Sequence, residues 1–171
     1  MVIFLISALY HKASTLSTVH LNKYDTINYM NAHENFGSSQ EIVIKTTKER
    51  QIINITQEVQ RLVPRLKIDE GVCNLFVLHT TAALITADLD PDTADDFLDA
   101  FEALIPKLQY RHRHNPAHVK DHIMASMLGA SLCVPIEKGE LMLGAWQKIM
   151  LVELGGPRER TVVVSFLNTK A

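Results

Sequence analysis

Apolar and polar positions fall into a readable pattern only from Gln40 onward. Glu41-Ile42-Val43-Ile44-Lys45-Thr46 predicts a strand, Lys48-Glu49-Arg50 a turn, and Gln51-Ile52-Ile53-Asn54-Ile55 the hairpin partner of that strand. Thr56 is placed to N-cap a helix whose apolar residues Val59, Leu62 and Val63 recur at helical spacing, and Pro64 ends or bends it. Gly71 opens a strand over Val72 to Leu78, an almost continuous apolar run of the kind buried on both faces. Asp90-Pro91 pairs an N-cap with a first helical proline, and Ala94, Phe97, Leu98, Phe101, Leu104 and Ile105 form the apolar face of the helix that Pro106 stops. Asn115-Pro116 starts a third helix through Val119, Ile123 and Met127, closed by Gly129. Then come strand Ser131 to Ile136, a turn at Glu137-Lys138-Gly139-Glu140, a long strand Leu141 to Leu154, the turn Gly155-Gly156-Pro157 and strand Thr161 to Leu167. This order lacks βαβ alternation and predicts an α+β layer structure with antiparallel hairpins.

The first 38 residues show neither period nor turn grammar, and His11 to Asn35 is rich in Ser, Thr and Asn. They are expected to form an extension outside the core, poorly ordered, with residues 39–171 as a single domain; Met30 is an alternative start. The apolar stretch Met1 to Leu9 is too short to span a bilayer and lacks the basic flank of a signal peptide.

The whole chain, 171 residues with 47% hydrophobic and 21% charged, has a globular composition. A net charge of −2 and the absence of any Lys/Arg run disfavour nucleic acid or an anionic membrane as partner. Cys73 and Cys133 sit in apolar strand-like runs outside any CxxC pair, as expected of buried thiols in a reducing, cytoplasmic compartment.

Histidine is the strongest chemical signal. Four of eight fall within His112-Arg113-His114-Asn115-Pro116-Ala117-His118-Val119-Lys120-Asp121-His122, and His79 ends the apolar strand. His118 and His122 share a helix face at a spacing that suits two imidazoles on one first-row metal, whereas at most one of His112 and His114 faces the same point. His79-Thr80-Thr81-Ala82-Ala83 offers hydroxyls and backbone N–H groups at a strand exit, which serves either as an anion cradle or as a plain ST-turn. Glu153 to Arg160 places Arg158 and Arg160 at a predicted hairpin tip, where guanidinium groups suit phosphate or carboxylate. Glu153 reads equally as an acid/base, a metal ligand or the ion partner of Arg158. Trp146 is a core anchor or a pocket wall, with Gln147 an adaptable donor and acceptor beside it. The acidic cluster Asp92, Asp95, Asp96 reads as a solvated first helical turn complementing the dipole. No Walker loop, dinucleotide glycine fingerprint or Ser/His/Asp order is present.

From about Gln40 to Leu167 the chain resembles the YjbQ-like family, also called the secondary thiamine-phosphate synthase family. His79-Thr80-Thr81-Ala82, Tyr110-Arg111-His112, Ala117-His118-Val119-Lys120, the run Ser131 to Gln147, and Glu153 with Gly156-Pro157-Arg158-Glu159-Arg160 match its spaced elements in order. The resemblance implies an α+β fold built on a two-sheet antiparallel β-sandwich with about three helices, and a homotrimer with sites near subunit contacts. It further implies His79, His112 and His118 as ligands of a divalent metal, zinc or magnesium; His122 and His114, extra relative to many members, rank second. Around them it puts Glu153, Arg158 and Gln147 as catalytic residues and Thr80, Thr81, Trp146 and Arg160 as contacts to a small phosphorylated substrate. Ala145, where a Thr is usual, and Gly155, where an Asp is common, depart from the pattern.

Overall fold

The computed structural model describes residues 17–21, 25–29, 39–88, 90–111, 113 and 115–169. Contacts divide the chain into Met1–Phe36 and Gly37–Ala171. In the first unit, β1 (Ser17–Leu21) and β2 (Asp25–Tyr29) pair antiparallel, Ser17 opposite Tyr29. The hydrophobic pattern had predicted no element there.

The second unit holds two antiparallel sheets. The first takes β3 (Ser39–Lys45), β10 (Glu159–Asn168), β5 (Gly71–Val77), β7 (Ser131–Glu137) and β8 (Glu140–Leu141) in that spatial order, and the second β4 (Gln51–Asn54), β9 (Lys148–Glu153) and β6 (Ala82–Ala87). Side-chain parity explains the layering. Cys73, Leu75, Val134, Val162, Val164 and Phe166 from the larger sheet meet Ala82, Leu84, Ile149 and Leu151 from the smaller one in one buried cluster. The opposite face of the smaller sheet, Ile52, Ala83, Met150 and Val152, is covered by Phe97 and Phe101 of α3 (Pro91–Ala103) and by Met124 and Ala125 of α4 (Val119–Leu128). The layers therefore run sheet, sheet, helices, and β9 is the strand buried on both faces.

Four expectations change. β3 and β4 are not a hairpin: β3 pairs with β10 and β4 with β9, so the turn between them crosses from one sheet to the other. The strand through Val72 is buried on one face only, with Phe76 and Leu78 exposed on the other. The predicted strand Leu141 to Leu154 is broken by a turn in which Gln147 N–H donates to the Gly144 carbonyl. Thr56 does not cap its helix. Asn54 Oδ1 accepts the Thr56 N–H at 3.0 Å, and Thr56 Oγ1 accepts the Ile149 N–H, joining α1 (Thr56–Gln60) to β9. A second short turn, α2 (Leu62–Arg65), carries Pro64.

The second predicted helix forms as α3, with the Asp90 side chain accepting the Thr93 N–H at 2.8 Å and Pro91 opening the first turn. Asp92, Asp95 and Asp96 lie exposed on it. Ahead of α4, Pro116–His118 forms a single 3-10 turn. The buried face of α4 runs through Asp121, Met124 and Ala125, while Met127 is exposed; Cys133, expected as a buried thiol, is also exposed, and only Cys73 is buried.

Candidate functional site

Chemistry-bearing side chains gather where the two facing core rows end. Ile149, Leu151 and Glu153 share one face of β9, and Arg160, Val162, Val164 and Phe166 share one face of β10. Glu153 and Arg160 are thus the last members of two opposed rows and meet between the sheets, at 0% and 1% exposure. Arg160 Nε donates to Glu153 Oε2 at 2.7 Å and Nη2 donates to Oε1. Arg160 Nη2 also donates to the Thr81 carbonyl at 3.2 Å and to Thr81 Oγ1 at 2.9 Å. Glu153 was expected to pair with Arg158, if with an arginine at all. Strand parity turns Arg160 inward instead, whereas Arg158 precedes β10 and is exposed.

The remaining acceptor capacity of Glu153 is filled by the Gly155 N–H at 2.8 Å and the Thr46 hydroxyl at 3.0 Å. Thr46 Oγ1 also lies 2.9 Å from the Arg158 carbonyl. It has one proton to give, and the carboxylate is the stronger acceptor. Burial pulls the Glu153 carboxyl upward, but Arg160, the Gly155 N–H and Thr46 outweigh it and hold the group below its ordinary value. Glu153 is therefore an ionised holder of Arg160. The Nη1 group of that guanidinium meets no acceptor among the described residues.

His79 stands beside this pair. Its Nε2 accepts the Thr161 N–H at 2.9 Å, so the neutral ring carries its proton on Nδ1. Desolvation first, then the charge of Arg160, keeps its pKa below the usual value, with Glu153 opposing and Arg158 reinforcing. Across the turn, Gly155 lets the His118 ring come close: a Cβ there would lie 3.0 Å from His118 Nε2 and 3.3 Å from Thr81 Oγ1. Thr80 is exposed at the same strand exit. His118 and His122 rings meet edge to face with centroids 5.0 Å apart. Asp121, almost fully buried, lies 3.7 Å from His118 Nε2 and accepts from Arg50 Nη2 at 3.3 Å. Burial raises its pKa against the opposing pull of Arg50, His118 and Lys120. Arg50 also bonds Glu102 of α3, so one guanidinium ties both helices to the β3–β4 loop.

His112 and His114 lie outside the described residues. Among the described residues no three His, Cys, Asp or Glu side chains are grouped to hold a metal ion. The Nε2 lone pair of His79 is taken by Thr161. The described donors do not complete a metal site by themselves.

Trp146 and Gln147 fall elsewhere. They precede Lys148, which pairs with Ala87, whereas Glu153 at the other end of β9 pairs with Ala82. The six-residue strand puts its two ends roughly 17 Å apart. Trp146 is 75% exposed and Gln147 Oε1 accepts the Gly144 N–H at 2.8 Å. Within one copy of the chain these two do not join His79 and Arg160. Thr46, Arg50 and Asp121 were not anticipated; for Asp121 the signal was its place three residues after His118.

A helix-covered two-sheet sandwich, closed at one end by a buried Arg–Glu pair with histidines and threonines around it, defines the class. The family described as UPF0047 protein YjbQ-like matches residues 40–169, and the chain belongs to it. A UPF0047 protein of Archaeoglobus fulgidus is 37% identical over 128 residues, 74% of this chain and 99% of that protein. The Bacillus subtilis UPF0047 protein YugU is 37% identical over 125 residues, covering 72% and 95%. The crystal structure of a protein of unknown function from Sulfolobus solfataricus superposes with a TM-score of 0.72 at 32% identity, covering 77% of this chain and 96% of that one. The match begins within β3, so β1 and β2 lie outside the family region.

Proposed function

We propose that the protein binds a small phosphorylated molecule at the Arg160 end of the sandwich. One observation carries the reading: a buried guanidinium, held on its Nε and Nη2 side by Glu153 and Thr81, has an Nη1 group with no acceptor among the described residues. A guanidinium N–H that meets no protein acceptor is available to donate a charge-assisted hydrogen bond to a phosphate oxygen. Thr80 and Thr81 supply hydroxyls, and Arg158 adds a second guanidinium at the rim. Titration of the protein with inorganic phosphate, followed by calorimetry, tests this: Arg158→Ala should weaken binding several-fold and Thr80→Ala less. No heat of binding at millimolar phosphate would sink it.

Within that reading the family resemblance supplies a reaction, a thiamine-phosphate synthase-type transfer joining a pyrimidine diphosphate to a thiazole phosphate with release of pyrophosphate. Guanidinium groups suit charge developing on the leaving diphosphate. Purified protein that forms no thiamine phosphate from the two substrates, with and without added zinc or magnesium, rejects the activity and leaves the binding site standing.

A second reading, a divalent metal on His118 with His79, His112 or His122, is favoured by the close His118–His122 rings. Paired imidazoles suit zinc better than magnesium. For His79 to take part it must first release the Thr161 N–H. Elemental analysis of protein isolated without chelators decides it; a metal content near zero rejects it.

The outward face of the larger sheet exposes Val43, Phe76 and Leu167, which suits a contact between subunits; the family resemblance makes that assembly a homotrimer. A monomeric mass by analytical ultracentrifugation would refute that. Nucleic acid and membrane remain unexpected partners. Among the described residues no helix is long and apolar enough to cross a membrane, and a cytoplasmic location fits the unpaired cysteines.

A further inference from the structure

We infer that Asp121 is a positioning residue: its carboxylate holds the His118 imidazole beside Gly155 and fixes the proton of the neutral ring on Nε2. The inference rests on packing and is independent of the phosphate reading.

The buried face of α4 is Asp121, Met124 and Ala125, and Asp121 is 5% exposed. A carboxylate among apolar neighbours is costly to desolvate unless partners surround it. Arg50 is one partner, with Nη2 donating to Oδ1 at 3.3 Å. That contact alone is a weak reason for an acid here, because the same guanidinium is already held through Nη1 by Glu102. The other carboxylate oxygen, Oδ2, faces His118 Nε2 at 3.7 Å. Residues three apart on a helix share a face, so the spacing from His118 to Asp121 brings carboxylate and ring together.

The His118 side chain has little else to orient it. It stands at the N-cap of α4 and makes no capping hydrogen bond. Its ring is flanked by the His122 ring, edge to face with centroids 5.0 Å apart, and by Gly155, where a Cβ would come within 3.0 Å of Nε2. The same Cβ position is 3.3 Å from Thr81 Oγ1, so the ring sits beside the residue that bonds Arg160. A separation of 3.7 Å exceeds a hydrogen bond, so the hold is electrostatic. Arg50 on Oδ1 favours the ionised carboxylate, and a carboxylate favours an N–H dipole facing it over a lone pair. The hydrogen therefore sits on Nε2, and Nδ1 keeps its lone pair. His79 is the opposite case: its Nε2 accepts the Thr161 N–H and its proton is on Nδ1. The two imidazoles near Thr81 thus differ in role. One can give a proton from Nδ1, and the other can take one there.

The test is NMR of the full chain in its native assembly with isotope-labelled histidine, which reads the ring nitrogen that carries hydrogen. It is run at about pH 8, where an imidazole of ordinary pKa is neutral. Wild-type His118 should carry its hydrogen on Nε2. In Asp121→Asn, Arg50 keeps the amide oxygen and turns the amide NH2 toward His118, so the tautomer should invert to Nδ1–H. His79 should hold its own tautomer in both proteins and serves as the internal control. Hydrogen on Nε2 of His118 in both proteins overturns the inference, as does hydrogen on Nδ1 in the wild type. If circular dichroism shows that Asp121→Asn does not fold, Asp121→Leu decides. Loss of the wild-type NOE between the His118 ring and the Gly155 Hα supports the positioning role, and its persistence overturns it. A failure to bind phosphate bears on the anion site alone and leaves this assignment standing.

Discussion

Removing the charge of Glu153 is the most demanding test of how this molecule is held together. The carboxylate is fully buried and accepts four hydrogen bonds, two from Arg160, one from the Gly155 N–H and one from Thr46. In Glu153→Gln the new amide turns a donor toward a guanidinium that remains charged and out of water. Breaking a buried pair from one side costs about 3–5 kcal/mol. For a domain of this size each kcal/mol lowers Tm by about 2–4 °C, so a drop on the order of 10 °C is expected. Arg160→Met should cost a similar amount by stranding the carboxylate. The double variant should cost no more than either single change, because the second substitution removes the charge the first one orphaned. Denaturant unfolding of all four proteins at one protein concentration measures the cycle, and the fixed concentration keeps any subunit association from entering the comparison. The pH dependence follows from the sign of the shift. The folded carboxyl titrates below its ordinary value of 4.5, so its stabilisation is complete above that value and is lost as pH falls through the folded pKa. Glu153→Gln should lack this acid-side loss. Additive single costs, or a Gln variant within about 1 kcal/mol of wild type, would refute a charge pair as the closure of the sandwich.

Three further outcomes are expected. His79 has a pKa held below 6.5, so the native state resists a proton that the unfolded chain accepts: stability should fall as pH drops below 6.5, and His79→Gln should flatten that part of a Tm–pH curve. Gly156→Ala would put a Cβ 2.6 Å from the Lys48 carbonyl oxygen and 2.9 Å from the Glu153 carboxyl carbon; a cost of about 1–3 kcal/mol by urea unfolding is expected, and Gly144→Ala, whose nearest neighbours are atoms of the Gln147 side chain, serves as the mild control. Asp90→Ala removes the acceptor of the Thr93 N–H at the start of α3 and should cost about 1 kcal/mol, with a Tm unchanged from wild type counting against the cap.

What the sequence disclosed, and what it hid, divides by the range of the physics. Local signals were read correctly: Asp90-Pro91 starts α3, and Thr161 to Leu167 is a strand. Pairing was not local. The turn at Lys48 to Arg50 looks like a hairpin turn, but a short turn can also carry the chain from one sheet to its neighbour. Only the partners β10 and β9 decide which. The apolar continuity of Val72 to Leu78 gave the wrong burial because Phe76 and Leu78 belong to an outward face with no covering element among the described residues. In the site, one misreading was avoidable. Arg160 has the parity of Val162, Val164 and Phe166, which predicts an inward side chain, while Arg158 precedes the strand and lies exposed. Thr46 had no such signal, since its value depends on a carboxylate 107 residues away.

The position of the Glu153–Arg160 pair also limits what chemistry this end of the fold can perform. Each member closes a row of core side chains, so neither can swing toward solvent without opening the space between the sheets. A carboxylate with all its acceptor sites filled and its pKa lowered is a poor proton carrier near neutral pH. Any proton transferred here must therefore pass through groups at the rim, and the Nδ1–H of His79 is the one whose tautomer is fixed from within, by the Thr161 N–H on Nε2. Glu153 then acts at one remove, by fixing the plane of the guanidinium that a phosphate would meet. The distinction is measurable. Arg158→Ala should weaken phosphate binding while leaving unfolding unchanged, since its side chain lies outside the core, whereas Glu153→Gln should lower both together. If Glu153→Gln abolished binding in a protein as stable as wild type, the carboxylate would have to touch the ligand itself, and the sheet-closing role assigned to it would be wrong.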